Sequence, residues 1–471
     1  MKTKELVKRI KLPAKASIYY LMASAVGKIV SFIITPFSTR LLGKEDFGQF
    51  SLYMAILGGV SVLCSAITSS SAIYKGLKNN EKNRGEYLRS VLTVNVVFSA
   101  IIFVFLLIFL PYIKLKPFLL IPMTAQILCD GIVAVLISSK RFDYKYKSVT
   151  VVAVISAVLP PTMSIFILKR WGGGFVVRIY TLLFVSVCLA IYALSRLLKG
   201  GLRINKRQIG YVIKTSSPLF PHSISSAISA QADKLFITWL MGAGALAKYS
   251  VVYSLGIALQ FTVVAIGSAM TPWIIRRLDR GDIKAISDLV VPMVIGYCAL
   301  SLLLITISPE AMLILAPKEY SDALPAILPI ALSTPFYFVS TVTTVGITYS
   351  GKGSYTVIIS TISTILCVIL NYMLIGKLGF VGAGTVTLIC QSLTALLGAA
   401  FLKKVKLGRL ISLNKILLPC LATANIGLAI YLLRQSIIAR ATMLILPMIM
   451  LIYCLKKASE LVLEKSVKNA P

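Results

Sequence analysis

The chain has 471 residues, of which 57% are apolar and 14% charged. A polypeptide that long and that apolar cannot hide its hydrophobic surface from water, so its solvent is lipid. The net charge of +33 would point to nucleic acid in a soluble protein. In a membrane protein the same excess marks cytoplasmic loops that meet anionic headgroups, and nucleic acid is set aside as a partner.

Apolar runs bounded by charge predict an all-α polytopic membrane protein of about 14 transmembrane helices, each near the length that crosses the hydrocarbon core. The first six fall near 17–39, 47–74, 88–111, 117–138, 148–168 and 175–196, and the next six near 214–241, 245–275, 286–308, 321–349, 354–375 and 381–402. Two more lie near 413–433 and 437–455. The basic start, Lys2 to Lys15, imitates a signal peptide, but the apolar run from Ser17 to Leu42 is too long and contains Lys28.

The loops alternate in charge. The N-terminus, the loops at 75–89, 140–147, 196–214, 276–284 and 403–415, Lys352 and the tail from Lys456 hold most of the 49 Lys and Arg. The intervening set holds Arg40, Lys44, Lys114, Lys116, Lys169, Arg170, Arg178, Lys248, Lys318, Lys377, Arg434 and Arg440. The positive-inside rule then puts the first set, and both termini, in the cytoplasm. Lys28 and Lys234 belong to neither set and fall inside helices.

No loop exceeds roughly 20 residues, too short for a folded soluble domain, so an attached ATPase or catalytic ectodomain is not expected. Gly346-Ile-Thr-Tyr-Ser-Gly351-Lys352-Gly353 nearly matches a phosphate-binding loop, but Gly353 replaces the metal-binding hydroxyl and the string joins two membrane helices. It reads as a helix-breaking turn. The eight cysteines (Cys64, Cys129, Cys188, Cys298, Cys367, Cys390, Cys420, Cys454) sit singly in apolar runs and read as reduced, buried packing residues. With His222 the only imidazole, no metal site and no resident cofactor is expected.

The string from Leu42 to Ser51 recurs in outline from Met241 to Ser250, and Trp171-Gly172 is echoed by Leu378-Gly379. The chain therefore reads as two six-helix halves, 1–200 and 201–408, with two appended helices and a tail at 409–471. Thr39-Arg40-Leu41-Leu42-Gly43 with Phe47-Gly48-Gln49-Phe50, and Gln231-Ala232-Asp233-Lys234-Leu235 followed by Gly242 and Tyr249, resemble the polysaccharide flippases of the multidrug/oligosaccharidyl-lipid/polysaccharide (MOP) superfamily. The likeness is greatest to the O-antigen (Wzx-type) translocases. Lys234 stands where many relatives carry Arg, which keeps the charge but not the bidentate geometry. The resemblance implies MATE/MOP-like bundles around a cavity that opens alternately to each side, and a bacterial inner-membrane location. It also implies transport of a lipid-linked oligosaccharide rather than an enzyme activity, with membrane lipids and other polysaccharide-assembly membrane proteins as neighbours.

A charge inside a membrane helix costs about 2.5 to 3.5 kcal/mol centrally even on a lenient scale, so Lys28, Asp130, Asp233 and Lys234 are the first candidates for function. Ser24, Lys28, Ser31 and Thr35 recur at helical spacing on the first helix, and His222, Ser225, Ser226, Ser229 and Asp233 trace a similar face on the seventh. The rival account of such serines is small-residue helix packing. Pro218 and Pro221 predict a bend where the seventh helix starts. Lys28 and Lys234, with Arg40 near the outer mouth, are candidates to compensate a substrate pyrophosphate.

Asp130, one turn after Gln126, and Asp233 are candidates to bind a coupling H⁺ or Na⁺. His222 is a candidate proton relay, although a lone imidazole near a helix end more often serves as an interfacial hydrogen-bonding group. Trp171, Trp239 and Trp273, near helix ends, fit interfacial anchoring. Three functions compete: a flippase for a polyprenyl-pyrophosphate-linked oligosaccharide, an ion-coupled multidrug or metabolite antiporter, and a membrane enzyme such as a sugar polymerase. The last needs a large catalytic loop that the sequence does not offer.

Overall fold

The apolar runs fold as helices. A computed structural model describes residues 2–68, 70–198, 205–433 and 436–467, and no strand forms among them. The side chains of 2–18 and 458–467 lie outside that description, so the N-terminal cations and the charged tail are known from the sequence alone, and Lys199, Arg203 and Arg434 fall outside the described residues.

Two compact units divide the chain, Met1–Ala247 and Lys248–Pro471. The first holds α1 (Lys2–Leu41), α2 (Lys44–Thr68), α3 (Ser70–Asn79), α4 (Arg84–Ile113), α5 (Leu120–Phe142), α6 (Tyr146–Trp171) and α7 (Gly174–Leu197), then α8 (Lys206–Ser216), α9 (Phe220–Met241) and the start of α10 (Ala243–Asp279). Within it α1 packs on α6, α5 lies against α2, α4 and α7, and α9 packs on α2. Its core draws on α2 to α8, including Ile73, Val91, Leu136, Val152 and Ala193. Because α9 is fastened to α2, the first unit takes in the helix that opens the second sequence half.

The second unit contains the rest of α10, then α11 (Ile283–Leu315), α12 (Ile327–Tyr349), α13 (Ser354–Lys404), α14 (Leu413–Leu432), α15 (Ile437–Met443) and α16 (Ile445–Val467). Tyr297, Phe338, Val342 and Leu402 are among its buried core. A straight helix of the 51 residues of α13 would run about 76 Å, more than twice the hydrocarbon thickness. Gly379, at φ 57°, breaks it. A Cβ on Gly382 would stand 2.3 Å from the Leu374 carbonyl oxygen, so the chain turns there into two passes, as the sequence predicts.

Eleven segments among the described residues are long and apolar enough to cross a membrane. Counting the two passes of α13 separately and adding α9 and α16, helices of 22 and 23 residues, gives the expected 14. The outward face of α4 carries Ile101, Phe105 and Ile108, more than half exposed, a surface that only acyl chains cover favourably. The protein is a multi-pass membrane protein.

The structure departs from the sequence reading in local ways. The basic stretch at 196–214, read as a loop, contains α8, an amphipathic helix that buries Val212 and Ser216 and packs on α4. Asn205 caps it by accepting from the Arg207 N–H. A 3₁₀ turn at Ser217–Leu219 holds Pro218, and Pro221 sits in the first turn of α9, so the bend precedes the helix and does not kink it. The phosphate-loop lookalike is a turn between α12 and α13, with Gly351 at φ 76°. All eight cysteines are free, but Cys129 is only half-buried and Cys188 is exposed, which corrects the expectation that all are core residues.

Candidate functional site

Every candidate side chain named from the sequence falls in the first unit. Lys28 lies on α1 with its side chain exposed, and no described carboxylate pairs with it. Lys234 lies on α9, half-buried, and its Nζ donates to Gln231 Oε1 at 2.8 Å. The two ammonium groups are close enough that Lys234 feels the charge of Lys28.

Gln231 is itself positioned by glycine. On the neighbouring α2, a Cβ on Gly58 would stand 3.1 Å from Gln231 Nε2, and one on Gly59 3.5 Å from its Cγ. The missing side chains form a notch that admits the amide, and the amide in turn holds Lys234. Asp233 is buried and accepts at Oδ1 from the Lys234 backbone N–H at 2.8 Å.

The polar stripe of α9 is not uniform: Ser225 and Asp233 are buried whereas His222 and Ser229 are exposed. On α1, Ser24 and Ser31 are exposed, and Ser31 Oγ donates back to the Gly27 carbonyl at 2.9 Å. Arg40 donates to the Pro36 carbonyl at 3.2 Å and so closes the last turn of α1, where a cation also complements the helix dipole.

Asp130 centres a second polar group. Gln126 Nε2 donates to both its carboxylate oxygens at 2.9 Å and lies 2.6 Å from Ser186 Oγ on α7, which donates to Asp130 Oδ1 at 2.9 Å. Tyr53 and Cys64 on α2 lie within reach of the Asp130 charge. Around it, Tyr53 Oη, Gln126 Oε1 and both amide atoms of Asn95 are buried without a partner. Unpaired buried oxygens beside a carboxylate are what a small cation or a proton carrier needs. Among the described residues no cluster of His, Cys, Asp and Glu has metal-binding form.

The sequence reading missed Arg178. Counted there with the outer-loop charges, although within the helix expected near 175–196, it lies on α7, one turn beyond Gly174, and lines a cavity of about 330 Å³ with Ser31, Thr35 and Ser38 of α1 and Ser156 and Ser164 of α6. Its guanidinium lies over the Phe50 ring of α2, 4.0 Å from the centroid. Asp46 fixes that geometry by accepting from the Phe175 N–H at 3.3 Å, which ties the start of α7 to α2.

Comparison with known proteins agrees with this architecture. The polysaccharide biosynthesis protein family matches residues 14–278, and the MatE family matches residues 218–373. An uncharacterized membrane protein of Haemophilus influenzae is 22% identical over 325 residues, 65% of this chain and 74% of that protein. The lipid II flippase MurJ, in an inward closed conformation, shares the fold at a TM-score of 0.70 and 15% identity, over 96% of this chain and 100% of that one. A multidrug resistance MATE family transporter of the MOP superfamily, inward-facing, follows at 0.61 and 12%, over 81% and 95%. A MOP superfamily transporter from Pyrococcus furiosus, described by the reverse polarity of its binding pocket, aligns at 0.57 and 15%, over 84% and 96%.

Proposed function

This chain belongs to the polysaccharide biosynthesis protein family, and on that premise we propose that it is a flippase. Its cargo is a polyprenyl-pyrophosphate-linked oligosaccharide, such as an O-antigen repeat unit, carried across the bacterial inner membrane by alternating access. The observation that supports this reading is the pair of membrane-embedded ammonium groups in the first unit, exposed Lys28 and Gln231-held Lys234. A pyrophosphate leaving water needs its charge compensated, and two fixed cations in a low-dielectric site supply that compensation without making or breaking a bond. A coupling H⁺ or Na⁺ would bind at Asp130. Both termini face the cytoplasm in this reading.

The MatE match favours a second reading, an ion-coupled multidrug or metabolite antiporter. Complementation of a flippase-null strain by wild type, Lys28→Ala and Lys234→Ala separates the two, with surface polysaccharide and membrane protein scored together. Restored polysaccharide with wild type and its loss in both variants at normal protein level is the expected result. Full activity of both variants overturns the charge-compensation mechanism. Failure of wild type across several sugar backgrounds, with resistance to cationic drugs gained, transfers the assignment to the antiporter.

A further inference from the structure

The cavity around Arg178 has donors and acceptors of two separate kinds. Each hydroxyl on its wall spends its proton on its own helix: Ser31 on the Gly27 carbonyl, Thr35 on Ser31, Ser38 on Ile34, Ser156 on Val152 and Ser164 on Pro161. What these oxygens offer a guest is lone pairs. Pro160 and Pro161, inside α6, deprive the carbonyls of Ser156 and Ala157 of their helical donors and add two more acceptors at the same wall. Beside it α1 and α6 approach closely, where a Cβ on Gly27 would stand 3.2 Å from Ala157 Cβ.

Arg178 is the single charged group of the lining. Stacking on Phe50 occupies the face of the guanidinium and leaves its in-plane N–H groups available, and no described carboxylate pairs with it. Asp46 does not neutralise it, being engaged with the Phe175 N–H. The pocket therefore presents one forked cationic donor, many acceptors and two aromatic rings, those of Phe47 and Phe50. An inorganic anion would leave the acceptors unused, and a neutral sugar would leave the guanidinium unpaired. A sugar phosphate satisfies both: phosphate oxygens take the fork, and sugar hydroxyls donate to the serine and carbonyl oxygens. The volume lies at the low end of small-molecule sites, enough for one phosphorylated sugar but not for an oligosaccharide.

We propose that this pocket binds the sugar-phosphate headgroup of the lipid-linked substrate, as a second anion site separate from Lys28 and Lys234. The proposal rests on the flippase reading for the origin of the ligand. The pocket lies where α1 ends and α2 begins, the end that the charge pattern assigns to the outer side, so it would receive the headgroup late in translocation.

The test is binding to the full-length protein in nanodiscs, with N-acetylglucosamine 1-phosphate, inorganic phosphate and N-acetylglucosamine as probes. Wild type should bind the sugar phosphate more tightly than phosphate, and the neutral sugar not at all. Arg178→Gln should weaken sugar-phosphate binding on the order of tenfold or more. Thr35→Val, which keeps shape and loses an acceptor, should lower the preference over phosphate while sparing phosphate itself. Unchanged binding in Arg178→Gln, or competition by phosphatidylglycerol in the disc as strong as by the probe, overturns the proposal, the latter by reassigning the pocket to bulk lipid. Binding lost in Lys28→Ala yet intact in Arg178→Gln would likewise overturn it and leave the flippase reading standing. Failed complementation by wild type with Arg178-dependent binding intact would do the reverse.

Discussion

Gly48 on α2 lies directly against Ala243 at the start of α10: a Cβ added at Gly48 would stand 2.0 Å from the Ala243 carbonyl oxygen. Both residues belong to the internal repeat. In each copy a glycine carbonyl opens the next helix, Gly43 accepting from Phe47 at 2.9 Å and Gly242 from Leu246 at 3.2 Å. The repeat thus conserves a helix break in hydrogen-bonding terms, and the two breaks touch within the first unit.

Gly48→Ala should destabilise this junction by about 2 kcal/mol or more, because the obstacle is backbone and cannot rotate away. Gly43→Ala, at a glycine with open space around its Cβ position, should stay close to wild type. Thermal melting of the two purified variants in detergent makes the comparison, and equal melting points would contradict the close approach.

Enlarging Gly58 should act on Lys234 at a distance. The Cβ of Ala at 58 would press Gln231 Nε2, and Val would push the amide out of its notch, removing the Gln231 acceptor from the Lys234 ammonium. Gly58→Val is expected to reduce polysaccharide export severalfold at normal protein level, with Gln231→Ala giving the same phenotype. Wild-type export in both would separate Gln231 from the function of Lys234.

Asp130→Asn should fold, since Gln126 can turn its unpaired Oε1 toward the new amide, but it removes the negative charge. Under the coupling role proposed for Asp130, export by reconstituted wild type should respond to an imposed H⁺ or Na⁺ gradient and Asp130→Asn should not. Retention of that response would exclude Asp130 as the coupling group. Gln126→Leu, by contrast, strips the carboxylate of its main donor and should cost about 1 to 3 kcal/mol of stability.

Features set by local chain geometry were legible in the sequence. Gln126 and Asp130 are neighbours because four residues is one helical turn, and Gly172 and Gly379, paired by the weaker repeat, both take positive φ where a helix breaks. Ser186 completes the Asp130 group from 56 residues away, and no periodicity announces it. Arg178 was hidden for a different reason: close to the Trp171-Gly-Gly-Gly174 break and at the very start of the helix expected near 175–196, it counts with the outer-loop charges, while α7 starts at Gly174 and carries the cation into the unit. The polarity of α8 concealed it likewise, although Val212 and Ser216, both buried and four residues apart, were a usable signal.

The pair Arg440 and Glu310 closes the second unit in a way that makes its own prediction. Arg440 donates from Nη1 to Glu310 Oε2 at 2.8 Å while Nη2 lies 2.6 Å from Oε1, a forked contact fastening α15 to α11, and Nη1 also reaches the Thr306 carbonyl at 3.1 Å. Arg440 is buried whereas Glu310 is half exposed, so the bond is more than a surface pair and less than a fully buried one. Arg440→Lys keeps the charge but cannot make two parallel bonds, and should lose about 1 kcal/mol. Arg440→Ala should lose more, because it also leaves the Thr306 carbonyl without this donor and a gap under α15. If the fork carries the effect, Glu310→Gln should resemble Arg440→Lys, and the double variant should cost less than the sum of the two. A double variant that costs the full sum would mean that the two side chains act independently and that α15 is held by its apolar contacts alone.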